Sequence, residues 1–508
     1  MGNSVVDNFL AGTAALFSDP ISIAIFAFGV VGGMLFGAIP GVSMLTLAAI
    51  LLPFTADLEP AQGVMLFAVI YCTGTYGGAI TAILFNIPGA PENAPTAFDG
   101  YPMTRKGMAG KAVGAAVLCS AIGGVASALV MMSATEPLAQ WAIMNIGPPE
   151  IFALVFFGLA VASSVGGKSI WKGWMSVLLG LLVATIGQDP VGGIDRYNFG
   201  FADLAAGIAF VPAILGFFAV SEVFVQAEKK ASGIYAPPKF SVDFPTLLEL
   251  WQHKLAVIRS ILVGFFCGIL PGIGATLAAF MGYGEAVRWS RNKEEFGKGK
   301  LEGVISSETA NNAATGAAMI PLLALGLPGG ALTAMMVAVF QMHDLEPGPL
   351  VFYNSPDLIW IVFAAMFYAN LCIFFVGLLE TKTILYLLKI PFQFLAPMIL
   401  LLATIGSYIG RGLVLDVMVM FGAGIIGFLL RRSGYSIPGI VLGIILGKIG
   451  EQNFAQGMQM VHYDPVAYFS RPICALLIAA GAITLAFGIY KALRAPAASG
   501  PDAESRKA

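Results

Sequence analysis

The polar side chains able to do chemistry in this sequence gather around four proline–glycine pairs, each set in an otherwise apolar run. The pairs are Pro40-Gly41, Pro88-Gly89, Pro271-Gly272 and Pro328-Gly329. Ser43, Thr46, Thr73, Thr75, Tyr76 and Asn86 lie near the first two; Thr276, Ser306, Ser307, Glu308, Thr309, Asn311, Asn312 and Thr315 lie near the second two. Proline removes a backbone donor and glycine admits unusual dihedrals, so each pair stops or sharply bends a helix. A helix that restarts after such a break presents unpaired N–H groups and partial positive charge, which hold a carboxylate without burying a lysine. The segments GVSMLT after Pro40 and GIGAT after Pro271 are such starts. Carbonyls freed at the other ends suit Na⁺. Hydroxyls and amides can finish either coordination shell at a lower desolvation cost than charges. A lone Ser or Thr is more often a packing residue or bonds its own backbone. Asn311-Asn312 beside Glu308 weighs more, because adjacent asparagines are poor helix formers and costly in an apolar run unless partnered.

The elements that must carry these residues repeat. GAIPGVSMLTLAAILLPF (37–54) matches GILPGIGATLAAFMGYGE (268–285), and GTYGGAITAILFNIPGA (74–90) matches ATGAAMIPLLALGLPGG (314–330). The prolines are 48 residues apart in the first half (40 to 88) and 57 in the second (271 to 328), and the charged insert RWSRNKEEFGKGK (288–300) accounts for the difference. Broken hydrophobic segments at corresponding places in two halves point to the binding site of a secondary transporter. Gly33-x-x-x-Gly37 and similar small-residue pairs read as close helix packing. The connection PENAPTAFDGYPMTRKG, with Asp99 and Arg105, is expected to be solvated. Basic residues cluster at Arg105, Lys106 and Lys111, along 226–254, and along 286–300; the positive-inside rule assigns all three to the cytoplasm. The last two flank 255–283, which therefore enters and leaves on one face, as a helical hairpin bent at its Leu-Pro-Gly.

Composition sets the class. Of 508 residues 58% are hydrophobic and 11% charged, with a mean hydropathy of +0.84; too little polar surface remains to cover one water-soluble core. The net charge of −2 argues against nucleic acid. Five scattered cysteines form neither a disulfide framework nor a zinc spacing, and three distant histidines form no ligand cluster. SSVGGKS, ending at Ser169, lacks the first glycine of a phosphate loop, position 162 being Ala162. The few charged residues within spans, such as Asp416 and Lys448, make no catalytic set. No Lys or Arg precedes the first apolar run, so a cleaved signal peptide is not expected. The fold class is an all-α polytopic membrane protein with about 12 transmembrane segments and two internal repeats containing Pro-Gly-broken, re-entrant helices. The halves are 1–225 and 255–490, joined by a polar cytoplasmic connection at 226–254 and followed by a disordered cytoplasmic tail at 491–508.

The strings GAIPG (37–41), ILLPFT (50–55), GTYGGAITAILFNIPGAPENAPTAFDGYPM (74–103), GILPGIGAT (268–276), SSETANNAATGAAMIPLLALGLPGG (306–330) and EPGPLVF (346–352) together resemble the large membrane subunit of the tripartite tricarboxylate transporter family. Thr309 departs from that pattern, where alanine is expected. The resemblance implies a carboxylate importer of the bacterial cytoplasmic (inner) membrane, driven by Na⁺ or H⁺, without other cofactors. Its implied partners are a small membrane subunit and a periplasmic solute-binding protein, with membrane lipid around it and a homo-oligomer left open; it is not an enzyme. Import of an anion against a negative interior costs about 2.3 kcal/mol per charge per 100 mV, so a multivalent carboxylate needs cation co-transport or protonation. On this basis the substrate-binding residues are expected to be Ser43, Thr46, Thr75, Asn86, Gly272, Thr276, Asn311 and Asn312. The cation ligands are expected among Gly41, Asn86, Glu308, Asn311 and Thr315. A gradient-independent organic-anion channel is the alternative.

Overall fold

The computed structural model describes residues 4–39, 43–165, 170–189, 192–228, 243–270, 274–387 and 392–494. Pro40, Gly41, Pro271 and Gly272 lie outside the described residues, as do 166–169 of the phosphate-loop-like segment, 229–242 of the polar connection and the tail from 495.

The first half runs α1 (Val5–Ser18), α2 (Pro20–Ala38), α3 (Met44–Leu51), α4 (Pro60–Phe85), α5 (Ala94–Arg105), α6 (Ala109–Asn145), α7 (Pro148–Val165), α8 (Ile170–Ala184), α9 (Phe210–Ile214) and α10 (Ser221–Glu228). A π turn, Leu215–Val220, joins the last two into one rod. The second half runs α11 (Leu247–Gln252), α12 (Lys254–Ile269), α13 (Gly274–Trp289), α14 (Leu301–Leu325), α15 (Ala331–Met342), α16 (Val351–Asn354), α17 (Pro356–Leu387), α18 (Phe392–Ile409), α19 (Val414–Arg432), α20 (Ile437–Met460), α21 (Pro465–Phe469) and α22 (Pro472–Arg494). A two-residue hairpin, Gly187–Gln188 against Asp195–Arg196, supplies the strands found among the described residues. Among the described residues seven helices are long and apolar enough to cross a membrane, α2, α4, α6 and α19 among them, and shorter apolar helices accompany them. The chain is thus a polytopic helical membrane protein.

The repeat read from the prolines is a repeat of helix ends. α2 stops at Ile39 and α12 at Leu270, both in extended conformation, as the residue before a proline must be. α4 and α14 both end on a left-handed residue, Asn86 at φ 58° and Gly326 at φ 73°. In each, the next amide reaches back to close the cap: Ile87 N–H donates to the Thr81 carbonyl (3.3 Å) and Leu327 N–H to that of Pro321 (3.0 Å), the bond that marks a Schellman-type end.

Packing repeats as well. α2 lies on α4, and α12 on α14, through glycines with the same spacing. A Cβ on Gly37 would run into the Gly74 carbonyl, and one on Gly268 into that of Ala314; one turn earlier a Cβ on Gly264 would strike the Ala310 carbonyl, and one on Gly33 the Thr73 hydroxyl, with the Ile70 backbone next nearest. Small residues let helix backbones approach where lipid offers no hydrophobic drive for association, and the packing expected for Gly33-x-x-x-Gly37 is what is found. α12 and α13 also pack on each other, and the Pro271-Gly272 bend expected between them lies outside the described residues.

The solvated connection is corrected. Residues 94–105 form α5, and Asp99 is fully buried. Its Oδ1 accepts the Gly299 and Lys300 amides (2.8 Å each) and its Oδ2 the Tyr283 hydroxyl (2.9 Å). Two backbone donors and a phenol replace the lost water. α5 is thereby tied to the start of α14.

Candidate functional site

α14 crosses the interior with every polar side chain from Ser306 to Thr315 buried. Its Glu308 is the centre of a hydrogen-bonded cluster assembled from both halves. Glu308 Oε1 accepts from the Thr96 hydroxyl of α5 (2.5 Å) and the Asn311 amide (3.4 Å), and Oε2 accepts from the Ser120 hydroxyl of α6 (2.9 Å). Thr96 also meets Ser307 (2.9 Å). Asn93, in the turn Pro91–Asn93 that follows the Pro88-Gly89 break, faces the same carboxylate and donates to the Thr75 carbonyl of α4 (2.8 Å). The Asn312 amide donates to the Glu308 backbone carbonyl (3.2 Å) and to Asn311 Oδ1 (2.8 Å).

Helix periodicity explains the constellation. Glu308, Asn311, Asn312 and Thr315 stand at positions i, i+3, i+4 and i+7, one face of a helix. Glu308 on that face meets α5 and α6, and Thr315 meets α4. Close approach is again glycine-dependent: a Cβ on Gly123 of α6 would strike the Thr309 carbonyl, and one on Gly316 would come 2.6 Å from the Ser127 hydroxyl. Three buried acceptor-capable atoms in this region, Asn93 Oδ1, Ser306 Oγ and Asn312 Oδ1, have no hydrogen-bond partner among the described residues.

The remaining expected residues divide. Thr276, in the first turn of α13, donates to Glu92 Oε2 (3.3 Å). Thr75 donates to the Tyr71 carbonyl of its own helix and touches Met44 Sδ (3.8 Å), so α3, with Ser43 at its N-cap and Thr46 buried, packs beside it. Thr315 bonds the Asn312 carbonyl (2.8 Å) and lies 3.8 Å from Cys72 Sγ. Asn86 occupies the left-handed cap of α4 with its side chain exposed and makes no hydrogen bond to the cluster; asparagine tolerates that conformation better than other non-glycine residues. Thr309 bonds the Ile305 carbonyl of its own helix (2.7 Å) and also meets the Cys119 thiol of α6. Gly41 and Gly272 fall outside the described residues. Pro88, Gly89, Pro328 and Gly329 follow directly on the two matched caps.

Sequence reasoning missed Glu92, Asn93, Thr96, Ser120 and Asp99. A signal existed: aligning Pro88 with Pro328 lays 91–102 over α15, a buried apolar helix, so the polar first-half counterpart had to be buried too.

Two cavities open elsewhere. One, of about 590 Å³, is lined by Asn8, Glu136, Gln140, Asp357 and Trp360 among others. The other, of about 360 Å³, is lined by Pro212, Gln341, Ser407, Arg411 and Asp416 among others. Neither is lined by a residue of the cluster. At the membrane margin, the Lys111 ammonium hydrogen-bonds Glu249 and holds its carboxyl below the usual range.

With this geometry in place, kinship adds the class. A protein of Agrobacterium vitis described as an uncharacterized 52.8 kDa protein in the TAR-I ttuC' 3' region is 36% identical over 482 residues, covering 94% of each chain. A second, described as an uncharacterized protein in the TAR-II ttuC' 3' region of the same organism, is 34% identical over 231 residues, 46% of this chain and 96% of its own. No solved structure matches. The tripartite tricarboxylate transporter TctA family matches residues 23–442. The chain belongs to that family and is a membrane transport subunit of its tripartite type.

Proposed function

We propose that the protein is the translocating subunit of a secondary importer that moves citrate-like tri- and dicarboxylates across the bacterial inner membrane. It works with a small membrane subunit, is fed by a periplasmic solute-binding protein, and is driven by a Na⁺ or H⁺ gradient. One observation carries the ion-coupled reading: Glu308 is buried deep in the protein and surrounded by neutral donors, with unpartnered amide oxygens close by. Oxygen ligands on an unpaired carboxylate suit a hard cation, and an intramembrane ionisable group without a countercharge marks an ion path. In this reading Glu308, Asn311, Asn312 and Thr315 hold the coupling cation. Thr75, Thr276 and the restarts of α3 and α13, with Ser43 and Thr46, receive the substrate carboxylates.

The two helix pairs α2/α3 and α12/α13 serve as re-entrant hairpins of two repeats that enter from opposite faces. The start of α2 meets that of α4, where Gln62 donates to Asp19 (3.0 Å), and Gly63 lies beside Val339 and His343 at the far end of α15. The ends of α12 and α13 lie instead at the basic face, where the Lys106 ammonium caps the Lys298 carbonyl (2.5 Å). That face is cytoplasmic under the positive-inside rule. In this reading the chain divides into halves at 1–225 and 255–490, with the shorter apolar helices making up about a dozen crossings.

The test is uptake of labelled citrate and a panel of dicarboxylates into proteoliposomes holding both membrane subunits, with and without binding protein, under imposed Na⁺ or pH gradients. Accumulation that needs the binding protein and one gradient is expected; gradient-independent flux would replace the importer with a channel.

A further inference from the structure

Five carboxylates are buried among the described residues, and four are well compensated. Asp416 pairs with Arg411, Glu150 with Arg471, Asp99 with two amides and a phenol, and Glu308 with two hydroxyls and an amide. Glu92 is the exception. It is 5% exposed, and among the described residues its one side-chain partner is the Thr276 hydroxyl at 3.3 Å, with its own amide as the remaining donor. α4, α5, α13 and α14 all pack around the turn that holds it. Of the ionisable groups on those elements, Tyr71 interacts with it, whereas Asp99 and Tyr283 bond each other and Glu308 bonds Thr96 and Ser120; no Lys, Arg or His among the described residues hydrogen-bonds it. A bare carboxylate in such a place is costly and is retained only where a proton or a cation neutralises it.

Its position gives that cost a use. Glu92 belongs to the turn after the first-half break, and Thr276 belongs to the first turn of the helix that restarts after the second-half break. A helix start attracts anions, yet an ionised Glu92 repels a second carboxylate arriving there.

We propose that Glu92 couples cation to anion binding: a monovalent cation, Na⁺ or H⁺, neutralises its carboxylate, and only then does a carboxylate substrate enter beside Thr276. The anion half of this statement rests on the importer reading; the cation half stands alone and is tested alone. By linkage, the cation favours the anion to the same extent that the anion favours the cation.

The experiment is a thermal-unfolding series on the purified full chain with its small membrane subunit. One arm varies NaCl against choline chloride at fixed pH; the other varies pH without Na⁺. Wild type is expected to gain stability with Na⁺, or to lose it as pH rises, because ionising Glu92 without a cation destabilises the folded form. Glu92→Gln, uncharged and of the same shape, is expected to diminish the response in whichever arm shows it, with the remainder carried by Glu308, and so to name the ion at Glu92. Thr276→Val is expected to shift the midpoint of that response and keep its amplitude. Citrate, added as an anionic probe, should stabilise wild type only with the cation present and stabilise Glu92→Gln without it. A Glu92→Gln protein that keeps the wild-type response in both arms overturns the proposal. If Glu92→Gln does not yield folded protein, an unchanged midpoint in Thr276→Val overturns it instead. Absence of gradient-driven uptake in wild type would sink the importer reading while leaving the Glu92 cation response standing.

Discussion

α4 and α14 hold equivalent places in the two repeats, have the same kind of cap and are gripped by the same glycine-spaced partner helix, yet only one of them carries the polar cluster. Aligning Pro88 with Pro328 sets Ala68 opposite Glu308, Tyr71 opposite Asn311 and Cys72 opposite Asn312. Thr75 and Thr315 are the hydroxyls the two share at one level. The first repeat instead places its polar residues after the break, in Glu92, Asn93, Thr96 and Asp99, where the second repeat has the apolar α15. One half supplies the carboxylate and the Asn311 amide, and the other supplies its hydroxyl donors, Thr96 and Ser120. The shared features are therefore architectural, and the unshared ones are the candidate chemistry. A site built this way exists only when the halves are docked, which suits a protein whose ligand must couple them.

The comparison breaks most sharply at Glu308. Glu308→Gln and Asn311→Ala are expected to lower gradient-driven uptake by about 100-fold or more while the protein still elutes as a folded species, whereas Cys72→Ala in α4 should stay within about threefold. Equal losses at Cys72 would erase the distinction between the helices. The reverse graft, Ala68→Glu, buries a carboxylate where no donors await it and should cost about 3–5 kcal/mol, seen as loss of folded protein in size-exclusion chromatography; a stable variant would mean that α4 has donors to spare. Next come the shared glycines. Gly37→Leu and Gly268→Leu should destabilise alike, by about 1–3 kcal/mol through overpacking, and strongly unequal melting shifts would count against equivalent roles. The smallest effect is expected at the caps: Asn86→Gly copies Gly326 and should change stability by no more than about 0.5 kcal/mol with uptake retained. Lost uptake in that variant would return Asn86 to the ligand set.

Much of the scaffold was legible because proline and glycine act locally. Four Pro-Gly pairs announced helix ends in two matched sets, and the Gly33 and Gly37 spacing announced close packing before any partner was known. Glu308, Asn311 and Asn312 could be singled out because buried amides and acids are expensive wherever an apolar run encloses them. Their partners could not. Thr96 and Ser120 are ordinary residues until α5 and α6 are laid against α14, some two hundred positions away in the chain. The stretch around Glu92 and Asp99 looked solvated because its composition is polar; its alignment with the apolar 331–342 was the sign against that, and its burial against α13 and α14, with amides of Gly299 and Lys300 in place of water, shows how it is accommodated.

Composition and periodicity by themselves determined that this chain lives in a membrane, that it is helical, that its helices break at corresponding places and that one of them bears an unusual polar face. These follow from the cost of exposing backbone and apolar surface, which each residue carries with it. Tertiary structure alone decided which donors surround Glu308, why Asn86 is an asparagine, and that Glu92 is the buried carboxylate left least compensated. Those are properties of pairs, and whether a buried charge is tolerable depends on what the rest of the fold brings within hydrogen-bonding distance.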